Sequence, residues 1–248
     1  MIISINKSNK PKRETKEKIK ISFFIACANR IEHLKQTLPY NLEQLEDIND
    51  IEFIILNYNS QDDMNEFMKK FTKEMNTEKL VYYKETFSKE FHLSHAMNMA
   101  ARLCSGEIIC PTNADYFVDM EWYNFILENM KKNVFICSKS NNDSNGRCCF
   151  WKNDFTTLRG FDELMTGWGW EEGDLYRRAN SIGLYEINLK DKPQFWKHIS
   201  HPWTIRQKNN YKNNGRIEKN RGSNIVNPQG FGKGCILEKN FKKINIIL

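Results

Sequence analysis

Residues 167–178 read Gly-Trp-Gly-Trp-Glu-Glu-Gly-Asp-Leu-Tyr-Arg-Arg. Trp168, Trp170, Glu171, Glu172 and Asp174 are interleaved there with Gly167, Gly169 and Gly173. Glycine lets a backbone turn sharply and lets a ligand come close. Tryptophan presents a flat apolar face with one polar handle. A carboxylate against such a surface loses solvation, and its basicity rises toward the range useful to a general base. These residues suit a site that activates a hydroxyl on a flat, partly apolar ligand such as a sugar. The same residues also fit a tight turn before a helix, with the tryptophans in the core and the acids in the first helical turn.

Three other groups carry chemistry. Asp115 closes the polar tetrapeptide Thr112-Asn113-Ala114-Asp115 at the end of an expected buried strand. Carboxylate oxygen is a natural ligand of Mg²⁺ or Mn²⁺, and such ions bridge substrate phosphates; a turn-forming aspartate has the same look. His198 and His201 stand three residues apart, and either imidazole can complete a metal shell begun by Asp115. Asp62 and Asp63 follow another strand end, where they would accept hydrogen bonds from a base or ribose or cap the helix that starts at Met64. His92, His95, Asn98 and Arg102 share one helical stripe, which fits phosphate contact or a solvated helix face.

The elements that must position these residues alternate. Strands are expected at Ile21–Cys27, 51–56, 80–83, 107–111 and 134–137, from short apolar runs. Helices are expected at 31–45, 64–74, 92–104 and 121–131. In the first of these helices Leu34, Leu38, Leu42 and Leu45 share one face, and Pro39 weakens or kinks it. This alternation predicts an α/β domain with a central, mostly parallel sheet flanked by helices. Ligands bind such sheets at the C-terminal strand ends. Three polar loops lie there: Asn29-Arg30, residues 57–63 (from Asn57), and residues 113–115. The expected organisation is a basic tail over 1–20, a domain over 21–205 and a basic extension over 206–248. Within the domain, 21–137 would bind nucleotide and 138–205 the acceptor.

The net charge of +6 is unevenly spread. The first twenty residues carry seven Lys/Arg against two Glu, and residues 206–248 carry ten against two, so the middle is net acidic. A specific nucleic-acid binder would more often show a basic stripe on its folded face. An acidic centre instead needs a cation to hold an anionic ligand. The basic ends leave peripheral membrane contact open, and the C-terminal one could fold over phosphates. No apolar run reaches the length of about 20 residues that a membrane-spanning helix needs. The start is too short for a signal-peptide core. Seven cysteines without a CxxC pair read as reduced thiols, which makes a cytoplasmic location the expectation.

Together these positions resemble the metal-dependent glycosyltransferases of the GT-A fold, in particular glycosyltransferase family 2 and the C-terminal part of the β-1,4-galactosyltransferases. The similarity covers roughly residues 21–205. It runs through the first strand with Asn29-Arg30, the second strand end from Leu56 to Asp63, His95 to Asn98, Gly106-Glu107-Ile108-Ile109, Asn113-Ala114-Asp115, Gly160-Phe161-Asp162-Glu163, and the Trp/Glu segment. The resemblance implies a Rossmann-like nucleotide-diphospho-sugar transferase fold and Mn²⁺ or Mg²⁺ as cofactor. It implies Asp115 and His201 as metal ligands, with His198 as the substitute. Asn29, Arg30, Asn57, Asp62, His95, Asn98 and Asn113 would be nucleotide-binding. Glu172 would be the base, Glu171 an acceptor-binding acid, and Trp168 and Trp170 the sugar platform. The partners implied are a nucleotide-sugar donor, UDP-linked by expectation, and a carbohydrate-bearing acceptor, joined by an inverting displacement.

Two departures stand out. Asn113 replaces the first acid of the family's Asp-x-Asp, and the base is Glu rather than Asp. Asn113 leaves open a catalytically silent carbohydrate-binding protein on a transferase fold. A sugar-nucleotide nucleotidyltransferase would carry a glycine-rich basic loop after the first strand, and Cys27-Ala28-Asn29-Arg30-Ile31 lacks the glycines.

Overall fold

Strand β1 (Ile21–Cys27) and strand β2 (Ile51–Tyr58) are almost wholly buried on both faces, as parallel strands covered on two sides must be. Their side chains alternate between two cores. Phe23, Ile25, Phe53 and Ile55 face one; Phe24, Ile54 and Leu56 face the other. The computed structural model describes residues 19–139, 147–167, 169–201 and 222–248.

Helix α1 (Ile31–Gln44) leads into β2, and helix α2 (Met64–Met75) leads on to strand β3 (Leu80–Glu85). Leu34, Leu38, Leu42 and Leu45 are buried as expected, and α1 continues through Pro39. Helix α3 (Leu93–Leu103) then crosses to strand β4 (Ile108–Pro111). Helix α4 (Met120–Asn129) and strand β5 (Val134–Cys137) follow. Beyond these come strand β6 (Cys148–Trp151), helix α5 (Lys152–Thr157), helix α6 (Glu171–Ser181) and strand β7 (Tyr185–Asn188). Strands β8 (Cys235–Lys239) and β9 (Lys242–Ile247) come last.

The nine strands form one sheet in the order β7-β5-β6-β4-β1-β2-β3-β8-β9. β4, β1, β2 and β3 are mutually parallel. The flanks are mixed: β6 runs antiparallel to β4 and β5, and β8 antiparallel to β3. Helices α1, α2 and α4 cover one face. Helices α3, α5 and α6 cover the other. Among the described residues of the basic C-terminal segment, β8 and β9 extend the sheet beyond β3. Their alternation is broken by a bulge between Ile236 and Glu238, which weakens the period-2 signal that would announce them.

The chain runs from β1 outward through β2 to β3, then returns to place β4 on the other side of β1. The strand order reverses between β1 and β4. A crevice opens at such a switch point, outside the C-terminal strand ends.

Candidate active site

The two loops that leave β1 and β4 at the switch point carry Arg30 and Asp115. Asp115 is 7% exposed. Its Oδ2 accepts a hydrogen bond from His201 Nε2 at 3.1 Å. The Arg30 guanidinium lies 3.6 Å from the same oxygen. Arg30 Nε donates to His33 Nδ1 at 3.2 Å, and the His33 ring meets His201 edge-on at 5.4 Å. Burial alone would push the Asp115 carboxyl up. The His201 hydrogen bond and the Arg30 charge outweigh it and hold the group below its ordinary value. The His33 imidazole is pushed down by burial and by Arg30, so it stays neutral at this cluster.

Buried polar residues of α1 fix the Asp115 loop. Thr37 Oγ1 donates to the Ala114 carbonyl at 2.7 Å. Asn41 donates to the Tyr116 carbonyl at 3.2 Å and accepts from the Val118 N–H at 2.7 Å. Both side chains sit fully buried on the leucine face of α1. Two polar residues at i and i+4 on an apolar stripe were the sequence signal for this role, because a buried amide or hydroxyl needs a partner. Arg147, also buried, stacks on Tyr116 at 5.1 Å and donates to the Phe117 carbonyl at 2.9 Å. The strand-like segment bearing the histidines docks alongside, with the Ile199 N–H donating to the Asp115 carbonyl at 2.8 Å.

That docking separates the two histidines. His201 reaches the carboxylate. His198 turns its Nδ1 to the Trp196 carbonyl at 2.9 Å and its ring toward Tyr116. One carboxylate and one imidazole nitrogen are donors that Mn²⁺ accepts. Mg²⁺ and Mn²⁺ sites commonly take one or two protein ligands, completed by substrate phosphates and water. No group of three or more His, Cys, Asp and Glu side chains that could hold a metal occurs among the described residues. Asn113 lies in the same turn, its carbonyl accepting from the Tyr116 N–H at 3.0 Å.

Glu171 and Glu172 open α6. Gly167 and Gly169 take positive φ values of 94° and 102° on the way in. Trp170 caps the helix at φ 72°, a left-handed conformation unusual for a bulky side chain, and is 53% exposed. Trp168 lies outside the described residues. Glu171 is buried, and its Oε2 has no hydrogen-bond partner among the described residues. Burial and the neighbouring Glu172 charge push its carboxyl well up. Burial raises Glu172 as well, but Glu171 offers it a hydrogen bond that favours its charged form. Both carboxyls of the pair are thus raised, and the Glu172 side chain is only partly buried. Burial raises the Tyr116 hydroxyl, and the Asp115 and Glu172 charges add to that rise.

α6 is anchored by a buried ion pair. Arg178, 0% exposed, donates to Asp174 Oδ2 at 2.7 Å, to the Leu158 carbonyl at 2.6 Å and to the Gly160 carbonyl at 2.8 Å. Asp174 therefore stands inside the helix as an anchor, one turn beyond the glutamates.

Several residues expected at the nucleotide have other partners. Asn98 is fully buried. It donates to the Phe161 carbonyl and to Glu163 Oε1, and accepts from the Phe161 N–H, each at 2.8 Å. Its amide N–H groups and oxygen are engaged there, so it latches the 158–163 turn. His95 bonds Tyr58 Oη at 2.7 Å and the Lys233 carbonyl at 2.8 Å, away from the Asp115 cluster. Asn57 holds Tyr82 Oη and the Ser60 N–H. Asp62 accepts from the Ile31 N–H, Ser60 Oγ and the Met64 N–H, so it caps α1 and α2 together. Asn29, at φ 54°, accepts from the Gln61 N–H at 2.8 Å. These three residues tie the turns after β1 and β2 into one shelf below the crevice, and Arg30 is the side chain that points from it to Asp115.

The model of glycosyl transferase family 2 matches residues 22–218. No curated protein matches the sequence. Among solved structures, the mannosyltransferase PcManGT from Pyrobaculum calidifontis, in complex with GDP-Man and Mn²⁺, superposes with a TM-score of 0.61 at 16% identity. It covers 71% of this chain and 56% of its own. GalNAc-T7 with UDP, GalNAc and Mn²⁺ gives 0.60 at 11% identity, over 70% of this chain and 43% of its own. TarS 1-349 from S. aureus in complex with UDP gives 0.57 at 14% identity, over 70% and 59%. The fold is thus the GT-A fold of these glycosyltransferases, and this chain spans about half the length of the neighbours it matches.

Proposed function

From the membership of this chain in glycosyl transferase family 2, we propose that it transfers a sugar from a nucleoside-diphosphate sugar, a UDP-sugar in the first instance, to a hydroxyl of a glycan, lipid or protein acceptor with inversion. The observation that carries the reading is the Asp115–His201–Arg30 cluster at the switch point, supported by a Glu172 charge that acts with that of Asp115 on the Tyr116 hydroxyl. UDP in two of the neighbours described and Mn²⁺ in two of them support the donor class and the ion.

Asp115 and His201 would hold Mn²⁺ or Mg²⁺, which when bound supplies positive charge against the diphosphate. Arg30 adds a fixed charge of the same sign at the same place, where it neutralises phosphate oxygens as the leaving group departs. Glu172 takes the proton of the acceptor hydroxyl while that oxygen attacks the anomeric carbon. The bond from that carbon to the diphosphate breaks in the same displacement, and the nucleoside diphosphate leaves with the electron pair. Proton transfer of this kind contributes about 10²–10⁴-fold. Glu171, protonated and buried, keeps Glu172 ionised and offers its free oxygen to a second acceptor hydroxyl. Trp170 gives the sugar an apolar face.

The test is nucleotide release from a panel of UDP- and GDP-sugars with Mn²⁺, by wild type and by Glu172→Gln. Wild type should release nucleotide from at least one donor, and the variant should do so about 10²-fold more slowly. No release from any donor, or equal release by both proteins, would overturn the reading.

A further inference from the structure

β3, α3 and the β8–β9 hairpin flank an open hollow of about 660 Å³. Small-ligand sites span about 300–1,000 Å³. Its wall includes Glu85, Phe87, His95, Met99, Asn245 and Ile247. None of its lining residues belongs to the Asp115–His201 or Glu171–Glu172 groups.

Glu85 ends β3 and is 2% exposed. Its Oε1 accepts the N–H groups of Phe87 at 2.5 Å and Ser88 at 2.8 Å. Its Oε2 is buried and has no hydrogen-bond partner among the described residues. A buried carboxylate oxygen without a donor is expensive to leave so, and at the wall of a hollow it is an acceptor waiting for an O–H or N–H. Phe87, two residues on, is 64% exposed, and its ring pairs with no other ring among the described residues. Asn245 adds an amide whose Oδ1 is taken by Cys235 Sγ at 3.0 Å, which turns its N–H groups into the available donors. His95 keeps the wall fixed: Tyr58 Oη donates to its Nδ1, and its Nε2–H donates to the Lys233 carbonyl.

A purely apolar guest would leave the Glu85 oxygen without a donor, and an anion would be repelled by it. A pyranose satisfies both halves of the wall: hydroxyls donate to the carboxylate, one hydroxyl oxygen accepts from the amide, and the C–H face lies on an exposed aromatic ring. We propose that this hollow is a second carbohydrate-binding site for a neutral oligosaccharide, separate from the transfer centre.

The test is saturation-transfer NMR on the full chain, without nucleotide or metal, using maltotriose, mannotriose, N-acetylchitotriose and β-galactotriose. At least one should bind with a dissociation constant of about 1 mM or tighter. Phe87→Ala and Glu85→Gln should each weaken binding about tenfold, with an unchanged melting temperature for the surface variant Phe87→Ala. Trp170→Ala, at the transfer centre, should leave it unchanged. Absence of binding by all four sugars overturns the proposal. So does wild-type affinity in Phe87→Ala, or loss of binding in Trp170→Ala alone. Because no donor is present, Phe87-dependent binding stands even if nucleotide release fails, and the reverse holds as well.

Discussion

His201 Nε2 lies 3.1 Å from Asp115 Oδ2, although 86 residues separate them in the chain. The contact joins the end of a central strand to a segment that docks beside it through the Ile199 N–H, and it makes one donor pair out of two weak sequence signals.

If that pair takes up the ion, Asp115→Asn and His201→Ala should each abolish the Mn²⁺-dependent part of nucleoside-diphosphate binding in calorimetry. His198→Ala should leave it intact, because that ring is turned to the Trp196 carbonyl. Equal losses in His198→Ala and His201→Ala would show that the pair is not the metal site.

The glutamate pair sets a pH dependence. Glu172 acts as base only when ionised, and burial raises its carboxyl above the ordinary 4.5. The rate of transfer should therefore fall on the acid side at a pH above that value. Glu171 is raised well above it in the folded chain, so folding favours its protonated form. That stability is complete below pH of about 4.5 and is lost as pH rises through the folded value. Between pH 5 and 8 the melting temperature of wild type should drop relative to Glu171→Gln. Parallel melting curves across this window would contradict the assignment.

Arg178 and Asp174 are both buried, at 0% and 5%. Removing one partner of a buried pair costs about 3–5 kcal/mol when the other charge is stranded; Asp174 keeps Arg177 at 3.0 Å when Arg178 is removed, so the stranding falls on Arg178 when Asp174 is removed. Asp174→Leu should lose that much in urea unfolding, and the double variant Arg178→Met/Asp174→Leu should recover part of it. A loss below about 1 kcal/mol in the single variant would mean that the pair does not anchor α6.

Asn98→Ala should destabilise the fold by roughly 1–3 kcal/mol, since it strips the buried Phe161 N–H of its acceptor, while the Phe161 carbonyl keeps the Asn227 amide. Nucleotide affinity per folded molecule should stay within twofold. A tenfold weaker nucleotide dissociation constant at unchanged stability would restore the ligand role expected for this residue from its helical stripe.

How much was legible differs between elements and side chains. The leucine stripe of α1, the double burial of β1 and β2, and the polar strand ends at Arg30 and Asp115 follow from periodicity and composition, which act over a few residues. The acids after Trp170 likewise announced the start of α6. The internal ties of Asn57, Asp62 and Asn98 were not legible, because an amide or carboxylate at a strand end or helix face looks alike whether its partner is a ligand or a distant N–H. β8 and β9 went unread because their pattern is interrupted by a bulge and their place beside β3 depends on an edge that local sequence does not encode.

By itself, then, the sequence determined the alternation of strands and helices from β1 to β5 and the residue types gathered at the polar strand-end loops. Only the tertiary structure decided that β4 returns to the other side of β1, that His201 rather than His198 meets Asp115, that Arg30 shares the same oxygen, that Thr37 and Asn41 hold the loop, and that burial raises both Glu171 and Glu172. The reason is physical. Secondary structure answers to spacing along the chain, whereas a hydrogen bond or a shifted proton answers to the few ångströms that packing leaves between residues far apart in it.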